Sequence, residues 1–154
     1  MNGRQKNVLL GLVVFVFLVL AVVAYMTFNL FSSMMGDVEE AEFYVDSFYA
    51  KTDAGDYQAT LPMFHEDFYT VSSREETITF LEKINEKLGL VKSKTLVDYG
   101  VQKYAGKTDH VVLVYDVERE KHKSRETFTL YYEEGSENFM ILGYNVNSMG
   151  FITS

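Results

Sequence analysis

The chain has 154 residues, 22 acidic against 14 basic, for a formal charge of −8, and it contains no Cys. The acidic balance argues against binding nucleic acid and against lying flat on anionic lipid. The lack of Cys excludes disulfides, thiol catalysis, thiolate metal sites and a lipid-modified cysteine anchor.

The first element is an apolar run over residues 8–31, 24 residues without a charge. A helix of that length reaches about 36 Å, more than the roughly 30 Å of a bilayer's hydrocarbon core. Arg4 and Lys6 precede it, and Asp37, Glu39, Glu40 and Glu42 follow it. This asymmetry predicts a cytoplasmic segment 1–7, a single transmembrane signal-anchor helix 8–31 and an extracytoplasmic domain 37–154, with the protein in the cell membrane. A cleaved signal peptide is the competing reading, with Val22-Val23-Ala24 as a small-residue site. Apolar residues continue past that site to Phe31, beyond the usual extent of a signal's apolar core.

Two of the basic residues lie ahead of the run, so the 118 residues after Gly36 carry 12 basic and 22 acidic groups, a charge of −10. They suffice for one domain with its own core. Residues 38–52 predict a helix, with Ala41, Tyr44, Val45, Phe48 and Tyr49 on one face, Asp37 as N-cap and Gly55 as stop. Asp56 can cap a short second helix through Leu61, near Pro62. The stretch 65–71 reads as irregular or extended, with Phe64 and Phe68 anchored in the core. Ser73-Arg74-Glu75-Glu76 is a capping box that opens a third helix to Leu88, ended by Gly89.

Period-two alternation then takes over. One long strand covers 91–104. Val111, Leu113, Tyr115 and Val117 mark a second, Phe128, Leu130 and Tyr132 a third, and 139–146 a fourth. In the fourth, Phe139 and Ile141 alternate against Met140, Leu142, Tyr144 and Val146. Turns fall at Gly106-Lys107, Lys121-His122-Lys123-Ser124 and Glu134-Gly135-Ser136. Helices followed by a four-stranded meander predict an α+β domain, about three helices packed on one face of a curved antiparallel sheet.

Phe48-Tyr49-Ala50, Asp53-Ala54-Gly55-Asp56-Tyr57, Phe64, Phe68, Leu88-Gly89-Leu90-Val91-Lys92-Ser93 and Ile141-Leu142-Gly143-Tyr144 follow one another in an order that resembles the nuclear transport factor 2-like superfamily. The resemblance covers nearly all of 38–148. It implies a cone, with the sheet wrapped around three helices and an open end that often forms a pocket. The superfamily includes enzymes, transport factors and secretion-system components, so the fold leaves function open.

Enzymes of that superfamily place Asp, Tyr or His in the pocket, and the groups available here are Tyr44, Tyr49, Asp98, His110, Tyr115, Asp116 and Tyr144. No spacing singles out a pair, so no catalytic residue is assigned. Tyr44, Phe48, Tyr49, Phe64, Phe68, Tyr115, Tyr132 and Tyr144 are the candidate lining of a ligand pocket, or equally the filling of a core. His65-Glu66-Asp67 is the one compact group of potential metal ligands and is too small by itself, so no metal or cofactor is expected. Arg119, Lys121, His122, Lys123 and Arg125 form a basic patch, read as a solvated hairpin tip diluted by Glu118, Glu120 and Glu126, or as a docking edge for an acidic partner. The sequence thus predicts a non-enzymatic, membrane-tethered domain that binds a protein partner or a small ligand at the membrane surface. A subunit of an envelope or secretion assembly and a pocket enzyme of isomerase or dehydratase type are the alternatives, and homo-oligomerisation stays open.

Overall fold

The structure, a computed structural model, describes residues 3–104, 107–132 and 138–152, with side chains from residue 13 onward except 104 and 107–109. The turn positions Gly106 and Glu134-Gly135-Ser136 lie outside the described residues. The chain divides into two compact units, Met1–Gly36 and Asp37–Ser154.

Helix α1 covers Gly3–Asp53. In the first unit its side chains from residue 13 to 31 are all exposed. It is long and apolar enough to cross a membrane. Asp37 is not an N-cap. It lies inside α1, because no proline or paired breaker interrupts the helix there, and a lone Gly36 costs only about 1 kcal/mol. The Asp37 carboxylate instead takes the Lys103 ammonium at 2.6 Å.

In the second unit α1 buries Val38, Ala41, Val45, Phe48, Tyr49 and Thr52. The helix ends in a Schellman turn. The Gly55 N–H donates to the Thr52 carbonyl and the Asp56 N–H to the Lys51 carbonyl, both at 3.0 Å, with Gly55 at φ +73°. Two 3-10 helices follow, Gln58–Met63 and Glu66–Thr70. The expected short second helix is thus a 3-10 helix with Pro62 inside it, and the stretch expected to be irregular or extended is a second one. Asp56 still accepts the Ala59 N–H at 3.2 Å. Helix α2, Arg74–Leu88, opens with the predicted capping box between Ser73 and Glu76.

The sheet is antiparallel, in the order β1 (Val91–Tyr104), β2 (Lys107–Arg119), β3 (Lys123–Tyr132), β4 (Phe139–Asn147). The domain is α+β, with the α1 tail, α2 and the 3-10 turns standing where three helices were expected. One expectation fails in β4. Strict alternation places Tyr144 and Val146 opposite Ile141, but a bulge falls where Leu130 pairs with Ile141 and Thr129 with Gly143. The extra residue returns Tyr144, paired with Phe128, and Val146, paired with Glu126, to the core face.

Candidate functional site

The eight aromatic candidates gather in and against one hydrophobic core. Phe48 sits at the centre, in edge-to-face contact with Tyr49, Phe64, Phe128 and Tyr144 at ring distances of 5.9, 5.9, 5.4 and 5.2 Å. Tyr144 stacks on Phe128 at 4.6 Å, and Phe68 lies 4.5 Å from Phe64. Tyr132 meets Phe139. Tyr44 donates to the Met63 carbonyl at 3.0 Å. Tyr115 is fully buried, with the Lys94 ammonium 4.3 Å from its ring centre and its hydroxyl 3.4 Å from Glu42. These rings fill the core against one another.

Beside them lies an ionic cluster the sequence reading missed. Glu126 is 0 % exposed and Arg119 5 %. Arg119 grips the carboxylate with two nitrogens, Nε to Oε1 at 2.8 Å and Nη2 to Oε2 at 3.2 Å. Ser124 donates to Oε1 at 2.6 Å, and Tyr49 donates to Oε2 at 2.8 Å, where Tyr144 donates as well. The remaining Arg119 nitrogen reaches the Asn85 side-chain oxygen at 3.2 Å and the Gly89 carbonyl at 3.1 Å. Asn85 in turn donates to the Thr52 carbonyl at 2.7 Å and to the Tyr57 hydroxyl at 3.2 Å. One buried network thus ties α1, α2, β2, β3 and β4 together. Its signal was present in the strand period. The buried odd positions of β2 lead from Val117 to Arg119, and the buried even positions of β3 lead back from Phe128 to Glu126 and Ser124.

The basic patch dissolves into specific partners. Arg119 is the buried partner of Glu126. Lys123 pairs with Glu118 at 2.5 Å, and Arg125 with Asp116 at 2.8 Å, across the solvent face of β2 and β3. The hairpin tip is solvated at the Lys121 and Lys123 side chains and docked through its backbone: the Lys121 and His122 N–H groups donate to the Leu88 carbonyl at 3.0 and 3.3 Å, and the Lys121 ammonium to the Glu86 carbonyl at 2.7 Å. It caps the negative end of α2.

A groove of about 770 Å³ opens on this solvent face. Ser93, Thr95 and Val97 of β1 form one wall and Asn147, Ser148 and Met149 the other. Asp116–Arg125 and Glu118–Lys123 lie between, with Val117 and Ser124. None of the eight aromatic candidates lines it. His65 caps the second 3-10 helix, its Nδ1 accepting the Asp67 N–H at 3.2 Å. Asp98 binds the Tyr99 N–H at 2.9 Å, and the His110 ring lies 5.5 Å from Tyr131. Among the described residues no three His, Asp or Glu side chains are grouped to hold a metal ion.

No family model, curated protein or solved structure matches the chain.

The electrostatics of the cluster suit cohesion rather than proton transfer. Burial pushes the Glu126 carboxyl up, but the Arg119 hydrogen bonds and charge, with Ser124 and Tyr144, outweigh it and hold the group below its ordinary value. Burial raises Tyr49 and Tyr144 well above theirs, reinforced by the Glu126 charge. Burial likewise pushes Tyr44 up to about 12. An ionised carboxylate already accepting five hydrogen bonds has little capacity left to take a substrate proton.

Proposed function

We propose that this protein is a single-pass membrane protein of the cell membrane whose second unit is an extracytoplasmic, non-enzymatic binding domain. The observation that carries this is the exposure of every side chain of α1 over the uncharged, mostly apolar residues 13–31. The orientation rests on Arg4 and Lys6 ahead of that stretch and the acidic residues after it. Protease added to spheroplasts tests it: the second unit is expected to be digested from outside, and its protection overturns the orientation.

The binding surface in this reading is the groove on the solvent face of the sheet, open to a polar ligand or protein partner at the membrane surface. Its charges are paired across the strands, and Arg125 uses only two of its five N–H donors on Asp116. The binding reading is favoured over a pocket enzyme because Glu126, Arg119, Tyr49 and Tyr144 already satisfy one another. Assignment to the nuclear transport factor 2-like superfamily belongs to the same proposal. It is supported by the order of helix, short turns, helix and four-stranded meander.

A further inference from the structure

We infer that the apolar helix pairs in the membrane with the same helix of a second copy, through Asn29. The inference rests on the reading of α1 as a membrane-spanning helix. The uncharged stretch between Lys6 and Asp37 is 30 residues long, with its midpoint between Ala21 and Val22. Asn29 stands about 11 Å along the axis from that midpoint, inside the roughly 15 Å half-thickness of the hydrocarbon. Leu30, Phe31, Met34 and Met35 continue the apolar surface beyond it.

Two uncharged polar side chains of this stretch are treated differently. The Thr27 hydroxyl is satisfied within its own helix, donating to the Val23 and Ala24 carbonyls at 3.0 and 2.9 Å. The Asn29 amide is exposed and has no hydrogen-bond partner among the described residues. An amide left unpaired in hydrocarbon is costly, and helices in membranes relieve that cost by bonding across to one another.

The amide also points to the identity of the partner. It carries both a donor and an acceptor, so it is complementary to itself. Two copies inserted in the same sense hold their Asn29 residues at the same depth, so the two amides can meet across a two-fold axis without any further register device. At about 100° per residue, Val22, Tyr25, Met26, Ser32, Ser33 and Gly36 are the residues within two turns that lie within roughly 60° of Asn29, while Leu20 and Phe31 lie on the far side. Ser33 and Gly36 are small enough to let two backbones approach on that face.

The absence of native Cys makes the test direct. Full-length chains carrying Ser33→Cys or Phe31→Cys, two positions at similar depth on opposite faces, are oxidised in membranes of cells that express them. An alkaline carbonate wash beforehand reports separately whether the chain is embedded. The Ser33→Cys chain is expected to form a disulfide dimer about tenfold more efficiently than Phe31→Cys, Asn29→Leu to lower that yield by about tenfold, and Asn29→Gln to preserve it. Equal yields at both positions, an undiminished yield in Asn29→Leu, or an Asn29-dependent adduct of a different mass each overturns the pairing while the chain stays carbonate-resistant. Release by carbonate overturns the membrane reading beneath it.

Discussion

Glu126 and Arg119 place two full charges at the centre of a small domain, and the cost of burying them is offset only while each keeps all its partners. Glu126→Ala leaves the Arg119 guanidinium without its counter-charge, so about 3–5 kcal/mol of stability is expected to be lost. Replacing both by apolar residues of similar volume is expected to recover most of it. Urea unfolding of the full-length chain in mild detergent, followed by tyrosine fluorescence because the chain has no Trp, measures both. The pH dependence follows from the same pair. The folded Glu126 value lies below the ordinary 4.5, so its contribution is complete above 4.5 and is lost as pH falls through the folded value. Tyr49 and Tyr144 are raised above the ordinary 10.0, so their contribution is complete below 10 and is lost as pH rises toward the folded values. A stability profile is expected to show both limbs, and Glu126→Gln to flatten the acid one. This cluster was only partly legible in the sequence. Its positions follow from the strand period, but charged types near a turn also fit a solvated tip, and burial alone tells the two apart.

At the level of elements, the helix ends were the most legible features because their chemistry is local. Ser73 and Glu76 satisfy each other's backbone N–H groups, and Ser73→Ala is expected to cost about 1 kcal/mol in the same unfolding measurement. The two stop glycines are not equivalent. Gly55 has a positive φ but open space around it, so Gly55→Ala is expected to cost about 1–2 kcal/mol from backbone strain alone. Gly89 combines φ +80° with an approach that would bring a Cβ within 2.6 Å of the Glu120 Cβ. Gly89→Ala is therefore expected to cost more, about 2–4 kcal/mol, by adding a clash with the hairpin tip. Equal losses at the two sites would contradict the docking of that tip on α2. The β4 bulge was not legible, because period-two alternation runs on through Leu142 and Gly143 and only pairing with β3 shows the extra residue. Asp37 misled for the opposite reason: a good capping residue specifies a helix start only where the preceding chain is not already helical.

For the whole molecule, the chain divides its chemistry between an apolar helix that presents its side chains outward and a domain that spends its aromatic and ionic groups on itself. The first was plain from composition, since 24 uncharged residues leave few other solutions. The second was not, because the same rings could line a cavity or fill a core, and only their mutual distances separate the two. The outer groove was missed for a related reason: Ser93, Thr95, Asp116 and Arg125 are ordinary surface residues until register brings them together. Lys123→Ala combined with Arg125→Ala is expected to abolish capture of a groove-bound partner by the full-length protein in mild detergent while leaving the unfolding midpoint within about 0.5 kcal/mol of the parent, since both ion pairs are exposed. Retained capture would remove the groove from the account. The central claim is that the helix anchors the domain outside the cell membrane, and protease treatment of spheroplasts tests it most directly. Digestion of the second unit, with the apolar helix left in a carbonate-resistant membrane fraction, is the predicted result; protection of that unit, or release of the intact chain by carbonate, would contradict it.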